Sequence, residues 1–148
     1  MNTPGKRLLA APAVTGACLA SVAVTASPAV AVDGPVCADG GFEKRWLWEQ
    51  AGGNNIGQAC YWDSGNRLNV DDQEEDGHSL VLDLYNPRNG RQKQYWDHGG
   101  APGPGSVGTV TEFADNILLQ GRLCKGEWSA TNPVVLWDTC RGYQQVRL

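Results

Sequence analysis

Acid–base or nucleophilic chemistry in this chain would have to run through His78 or His98, because no other histidine is present. A Ser-His-Asp arrangement needs one of them as its base. His98 is the better placed, beside Asp97 and ahead of the Gly- and Pro-rich run Gly99-Gly100-Ala101-Pro102-Gly103-Pro104-Gly105. No G-x-S-x-G elbow and no H-E-x-x-H pair accompanies either histidine. The ordinary reading of His98 is therefore a surface imidazole in a loop. Ten Asp and six Glu leave a carboxylate pair for glycoside cleavage open, since that chemistry depends on spacing in space. No catalytic residue is assigned, no metal or cofactor is expected, and the reading leans away from an enzyme.

One acidic stretch partly copies a calcium loop. Asp72, Glu74 and Asp76 alternate, Gly77 stands at the sixth position and Asp83 at the twelfth. Such a loop needs Asp or Asn at its third position, a bidentate Glu at its twelfth, and a helix after it. Here those are Glu74, Asp83 and a strand pattern, so the stretch reads as an acidic, solvated turn closed by Asp76-Gly77.

The cysteines point to oxidation rather than catalysis. Once a leader containing Cys18 is set aside, Cys37, Cys60, Cys124 and Cys140 remain. An even number in a short exported chain reads as disulfides, and four cysteines allow three pairings. Cys37–Cys60 and Cys124–Cys140 are preferred because each pair is close in sequence. A C-x-x-C pair, the usual sign of zinc or redox use, is absent.

Tryptophan is unusually abundant, with 6 in 148 residues. Flat indoles stack on sugar rings and anchor protein interfaces, although in a small domain most of them fill the core. Trp96, His98 and Trp128 fall at strand ends or in loops among polar neighbours. They are the candidate binding residues, with Trp128 the first expected to be exposed.

The elements that must carry these residues are strands. With 19 Gly, 8 Pro and only 19% charged residues, the composition suits a turn-rich β protein. Ser79–Tyr85 alternates most clearly, with Leu80, Leu82 and Leu84 on one face and Val81, Asp83 and Tyr85 on the other. Asn86-Pro87-Arg88-Asn89-Gly90 then supplies a hairpin loop before a return strand over 91–96. Further strands are expected over 56–62, 67–70, 107–113, 117–124, 134–140 and 143–148, while 42–49 reads as strand or short helix. The long loops are Asp97–Ser106 and Lys125–Pro133. The pattern predicts an all-β fold, a single small antiparallel β-sandwich, with a β-barrel as the alternative.

The first 31 residues read as a secretory signal peptide. Lys6-Arg7 forms a positive start, an uncharged Ala/Val/Leu run follows, and Ala29-Val30-Ala31 gives a cleavage site near Ala31. The run is too interrupted for a membrane anchor, and Thr15-Gly16-Ala17 before Cys18 is no lipobox. Residues 32–148 are then one β domain, expected to be a secreted monomer without a membrane span. Losing Lys6 and Arg7 leaves it two units more negative than the −4 of the full chain, which disfavours nucleic acid as a partner.

Asp76-Gly77-His78-Ser79-Leu80-Val81, Trp96 to Gly100, Gly121-Arg122-Leu123-Cys124 and the last cysteine, Cys140, together resemble a group of small exported actinobacterial proteins. These carry D-G-x-S at a strand start and a C-terminal cysteine pair. The resemblance covers Asp76 to Leu148 and implies export, a disulfide and a β fold, without an activity. The function expected is an exported, non-enzymatic module binding an extracellular polysaccharide or protein through Trp96, His98 and Trp128. The rival is an inhibitor of a secreted protease or amylase, acting through the two long loops, and a hydrolase comes third.

Overall fold

The structure, a computed structural model, describes residues 36–148, so the leader read over 1–31 lies outside the described residues. Alternating apolar residues and tight turns generate nine strands among them. In chain order these are β1 (Lys44–Glu49), β2 (Asn55–Trp62), β3 (Arg67–Asp72), β4 (Ser79–Tyr85), β5 (Gln92–Asp97), β6 (Ser106–Thr109), β7 (Leu118–Glu127), β8 (Val134–Leu136) and β9 (Gln144–Arg147). The first sheet runs β1-β2-β3-β6 and the second β5-β4-β7-β8, with β9 also paired to β7. Every pairing is antiparallel. The sheets form a sandwich-like all-β fold and close into no barrel.

The core lies between the sheets and follows the period of two. Leu80, Leu82 and Leu84 of β4 point inward, as the alternation requires, and meet Trp46, Tyr61, Leu68 and Val70 from the first sheet. Burying each leucine contributes about 1.5–3 kcal/mol. Trp46 crosses furthest: its indole Nε1 donates to the Gly121 carbonyl at 3.1 Å. Its ring lies where a Cβ at position 121 would come within 2.7 Å, so β7 needs a glycine there. The segment 42–49, ambiguous in sequence, is strand from Lys44 because Trp46 and Trp48 both face this core.

Outward faces carry smaller clusters. Cys60 and Trp62 of β2 pack with Cys37 and Phe42 outside the first sheet. Val81, Cys124 and Val135 pack under Trp96 outside the second. The disulfides are Cys37–Cys60 and Cys124–Cys140, the preferred pairing, and each staples a short 3-10 turn to an outer face. They are consistent with an extracellular protein. Among the described residues no helix is long and apolar enough to cross a membrane.

Four boundaries differ from the sequence reading. β7 continues through Lys125, Gly126 and Glu127, which shortens the second long loop to Trp128–Pro133. β3 extends through Asp71 and Asp72, both buried, so the acidic stretch is only partly a solvated turn. The strand expected over 107–113 stops at Thr109, and one bond in the same register follows it, from the Val110 N–H to the Asn66 carbonyl at 2.8 Å. The one expected over 134–140 is cut at Leu136 by the 3-10 turn Trp137–Thr139.

Candidate functional site

The β4–β5, β4–β7 and β7–β8 pairings end at Leu80 opposite Asp97, Ser79 opposite Gly126 and Glu127 opposite Val134, and beside these ends lies a cleft of about 540 Å³. One wall is the turn after β3, with Glu74, Glu75, Gly77 and His78. The other is the loop after β5, His98 to Ala101, and the end of β7 supplies Glu127 and Trp128. Both histidines of the chain therefore face the same space.

The candidate residues come together here. The His98 imidazole lies parallel to the Trp128 indole, with centroids 4.3 Å apart and planes 9° from parallel. Trp96 supports Trp128 from the sheet side, 5.6 Å away and tilted by 55°. Trp128 is 43% exposed, whereas Trp96 is partly buried over Val81 and Cys124. The backbone under Trp96 explains Gly126: a Cβ there would approach the indole Cζ3 to 2.4 Å. The sequence thus fixes the aromatic group by withholding a side chain beneath it.

Buried acids anchor both walls. Asp97, at the end of β5, accepts from the Gly99 N–H at 3.2 Å and the Ser106 hydroxyl at 2.9 Å. These bonds fold the loop that presents His98, and the other carboxylate oxygen accepts the Asp72 N–H at 2.8 Å. Burial pushes the Asp72 carboxyl up to about 6, against the Glu74 N–H, which favours the ionised form; the Asp97 and Asp76 charges push it further up. Opposite, the Lys125 ammonium lies at 2.6 Å from Glu74 and also bonds Asp76. Burial alone would raise the Asp76 carboxyl, but the bonds from Lys125 and the His78 N–H hold it below the usual range. Lys125 is correspondingly raised, its partners outweighing its own desolvation.

The alternating acids of the calcium-like stretch are thus drawn to a lysine. Asp72 belongs to a strand, and Asp83 lies on the outer face of the second sheet. His78 Nδ1 sits 2.8 Å from a Glu127 carboxylate oxygen, which orients the imidazole along the cleft wall. Among the described residues no hydroxyl or thiol hydrogen-bonds to either imidazole. What the cleft offers is a flat, partly exposed aromatic surface with carboxylates along its rim, an arrangement suited to holding a ligand by stacking and hydrogen bonding.

Sequence reasoning singled out Trp96, His98 and Trp128 but did not connect His78 and Glu127 with them. The signal available was β4–β7 pairing, which sets Ser79 opposite Gly126 and so brings their neighbours His78 and Glu127 side by side. No family model, curated protein or solved structure matches this chain.

Proposed function

We propose that the protein is an exported module that binds an extracellular polysaccharide or protein at this cleft, with a polysaccharide as the better fit. The observation that carries the reading is the parallel His98–Trp128 pair on an open cleft, backed by Trp96. The imidazole stacked on Trp128 fixes its indole, whose exposed part offers an aromatic surface to the plane of C–H groups on a pyranose ring. Glu74, Glu75 and Glu127 at the rim provide acceptors for hydroxyls. Export is supported by the leader-like residues 1–31 and by the two disulfides.

Polysaccharide pull-down with the native protein and with Trp128→Ala and Trp96→Ala tests this. Both variants are expected to lose retention, and unchanged retention in both would remove the reading.

A second reading is favoured by one feature. The loop His98–Gly105 projects from the sheet yet is held at both ends, by Asp97 near its start and by the Asn69 amide on the Pro104 carbonyl at 3.2 Å. A loop fixed in this way loses little freedom on docking, which suits an inhibitor of a secreted hydrolase. Assays against secreted proteases and amylases test it, and no inhibition at micromolar protein counts against it.

A further inference from the structure

A second surface lies on the outward face of the second sheet, away from the cleft loops. Residues directly opposite one another in an antiparallel pair share a face. Tyr85 is opposite both Gln92 and Gln120, and Asp83 is opposite both Gln94 and Arg122. Because Leu82 and Leu84 point inward, all of these point outward. Side-chain amides, a tyrosine and one ion pair therefore form adjacent rows.

The ion pair is the centre of the face. Asp83 is completely buried and accepts from Arg122 Nε at 3.0 Å and from the Gln92 amide at 2.6 Å. Two rings lie over the same guanidinium, with Cζ 5.1 Å from the Trp137 centroid and 4.4 Å from that of Tyr143. Trp137 is 49% and Tyr143 44% exposed. Among the described residues Arg122 makes hydrogen bonds through Nε alone, which leaves its terminal N–H groups as donors between two open rings. The arrangement is held from behind. Cys140 bonds Cys124, and the Thr139 hydroxyl accepts the Lys125 N–H at 2.9 Å, fixing the turn that displays Trp137.

Charge selects among ligands. An anionic polymer meets an arginine whose charge Asp83 already balances, on a chain of net charge −4. A cationic polymer cannot reach the Asp83 carboxylate, which has no exposed surface. What remains is a ligand with apolar C–H faces for the rings and neutral hydroxyls for the guanidinium edge and the amides. Along β4, Val81 is the next outward position after Asp83, and it is opposite Trp96. A linear chain laid along β4 would run from Tyr143 and Trp137 toward Trp96 and Trp128.

We propose that this outer face, centred on Arg122, Trp137 and Tyr143, binds an uncharged linear polysaccharide. The inference rests on the polysaccharide reading above and extends it to a second, separable subsite.

Affinity electrophoresis of the disulfide-intact protein tests it, in gels containing hydroxyethyl cellulose, soluble starch, mannan or arabinoxylan, with alginate and chitosan for comparison. Trp137→Ala, Tyr143→Ala and Arg122→Lys are run beside Trp128→Ala. The lysine variant keeps the charge opposite Asp83 but removes the planar fork. Retardation by at least one neutral polymer is expected, weakened about tenfold or more in each outer-face variant. Urea midpoints of the exposed-ring variants check that both remain folded. Loss in the Trp137 and Tyr143 variants with Trp128→Ala unaffected supports this face while overturning the cleft. The converse overturns this face and leaves the cleft standing. Retardation by no neutral polymer, or by alginate or chitosan alone, overturns the proposal.

Discussion

Replacing Asp72 by Asn should stabilise the protein at neutral pH, although it removes a buried carboxylate from the heart of the acidic cluster. In the native state Asp72 is only 5% exposed and holds its proton to about 6, against 3.8 in an unperturbed chain. Between those values the folded state binds more protons than the unfolded state, so stability falls as pH rises through the window. Two pH units correspond to about 3 kcal/mol, the cost of ionising Asp72 in place. Asn is neutral at every pH and can still accept the Glu74 N–H, which Asp72 Oδ1 receives at 3.2 Å. Urea unfolding at about pH 4 and about pH 7.5 should give equal stabilities at the lower pH and a gain of about 2–3 kcal/mol for Asp72→Asn at the higher one. Glu112 does not confuse the comparison. The Lys93 bond, then the Tyr95 hydroxyl, draw its carboxyl down from 4.5 to about 2, and the stability it loses as pH falls through that range is common to the native protein and the variant. A variant no more stable than the native protein at neutral pH, or parallel pH profiles for the two, would refute the assignment of that proton.

Two further substitutions probe the display of the aromatic groups. Gly126→Ala places a Cβ 2.4 Å from the Trp96 ring and 2.9 Å from the Val134 carbonyl, so urea unfolding should show a loss of about 1–3 kcal/mol, with a shift in tryptophan emission as Trp96 moves. Replacing Cys124 and Cys140 together by Ala should lower stability by about 3 kcal/mol, from a loop closed over a separation of 16 residues. In the same variant the Trp137 turn should become accessible to limited proteolysis, and resistance equal to that of the native protein would show that the disulfide does not fix it.

How far the fold is legible depended on whether local pattern and tertiary demand agreed. They agree in β4, where Leu80, Leu82 and Leu84 alternate and the structure buries each of them. They agree at the cysteines, where proximity in sequence coincides with the pairing. They disagree in β7. Lys125 and Gly126 read as the start of a long loop, yet Lys125 turns inward to Glu74 and Asp76 while Gly126 makes room for Trp96. Both residues are strand residues for reasons found on other strands. The same holds for Asp71 and Asp72, whose acidity suggests solvent but whose carboxylates accept from the Gln58 and Gln73 amides and from the Glu74 N–H. The aromatic cleft was half legible, since Trp96, His98 and Trp128 stand beside turn residues. The Arg122 face was not, because its members come from separate strands and a 3-10 turn, and only register brings them into one row.

The two proposed surfaces are held by different forces, and this bears on how each can work. The cleft walls hang from carboxylates: Asp97 folds the His98 loop, and Glu74 and Asp76 reach Lys125 across the end of the sandwich. Those contacts depend on ionisation, because protonating Asp76 weakens its bond to the lysine that holds the opposite wall. The outer face rests on a disulfide, a fully buried carboxylate and stacked rings. Its Arg122–Asp83 pair sits under Trp137 and Tyr143, where water screens the charges less than at an open surface. A ligand of the proposed kind laid along β4 would therefore meet a platform stapled by a disulfide at the Tyr143 end and one held by ionised carboxylates at Trp128.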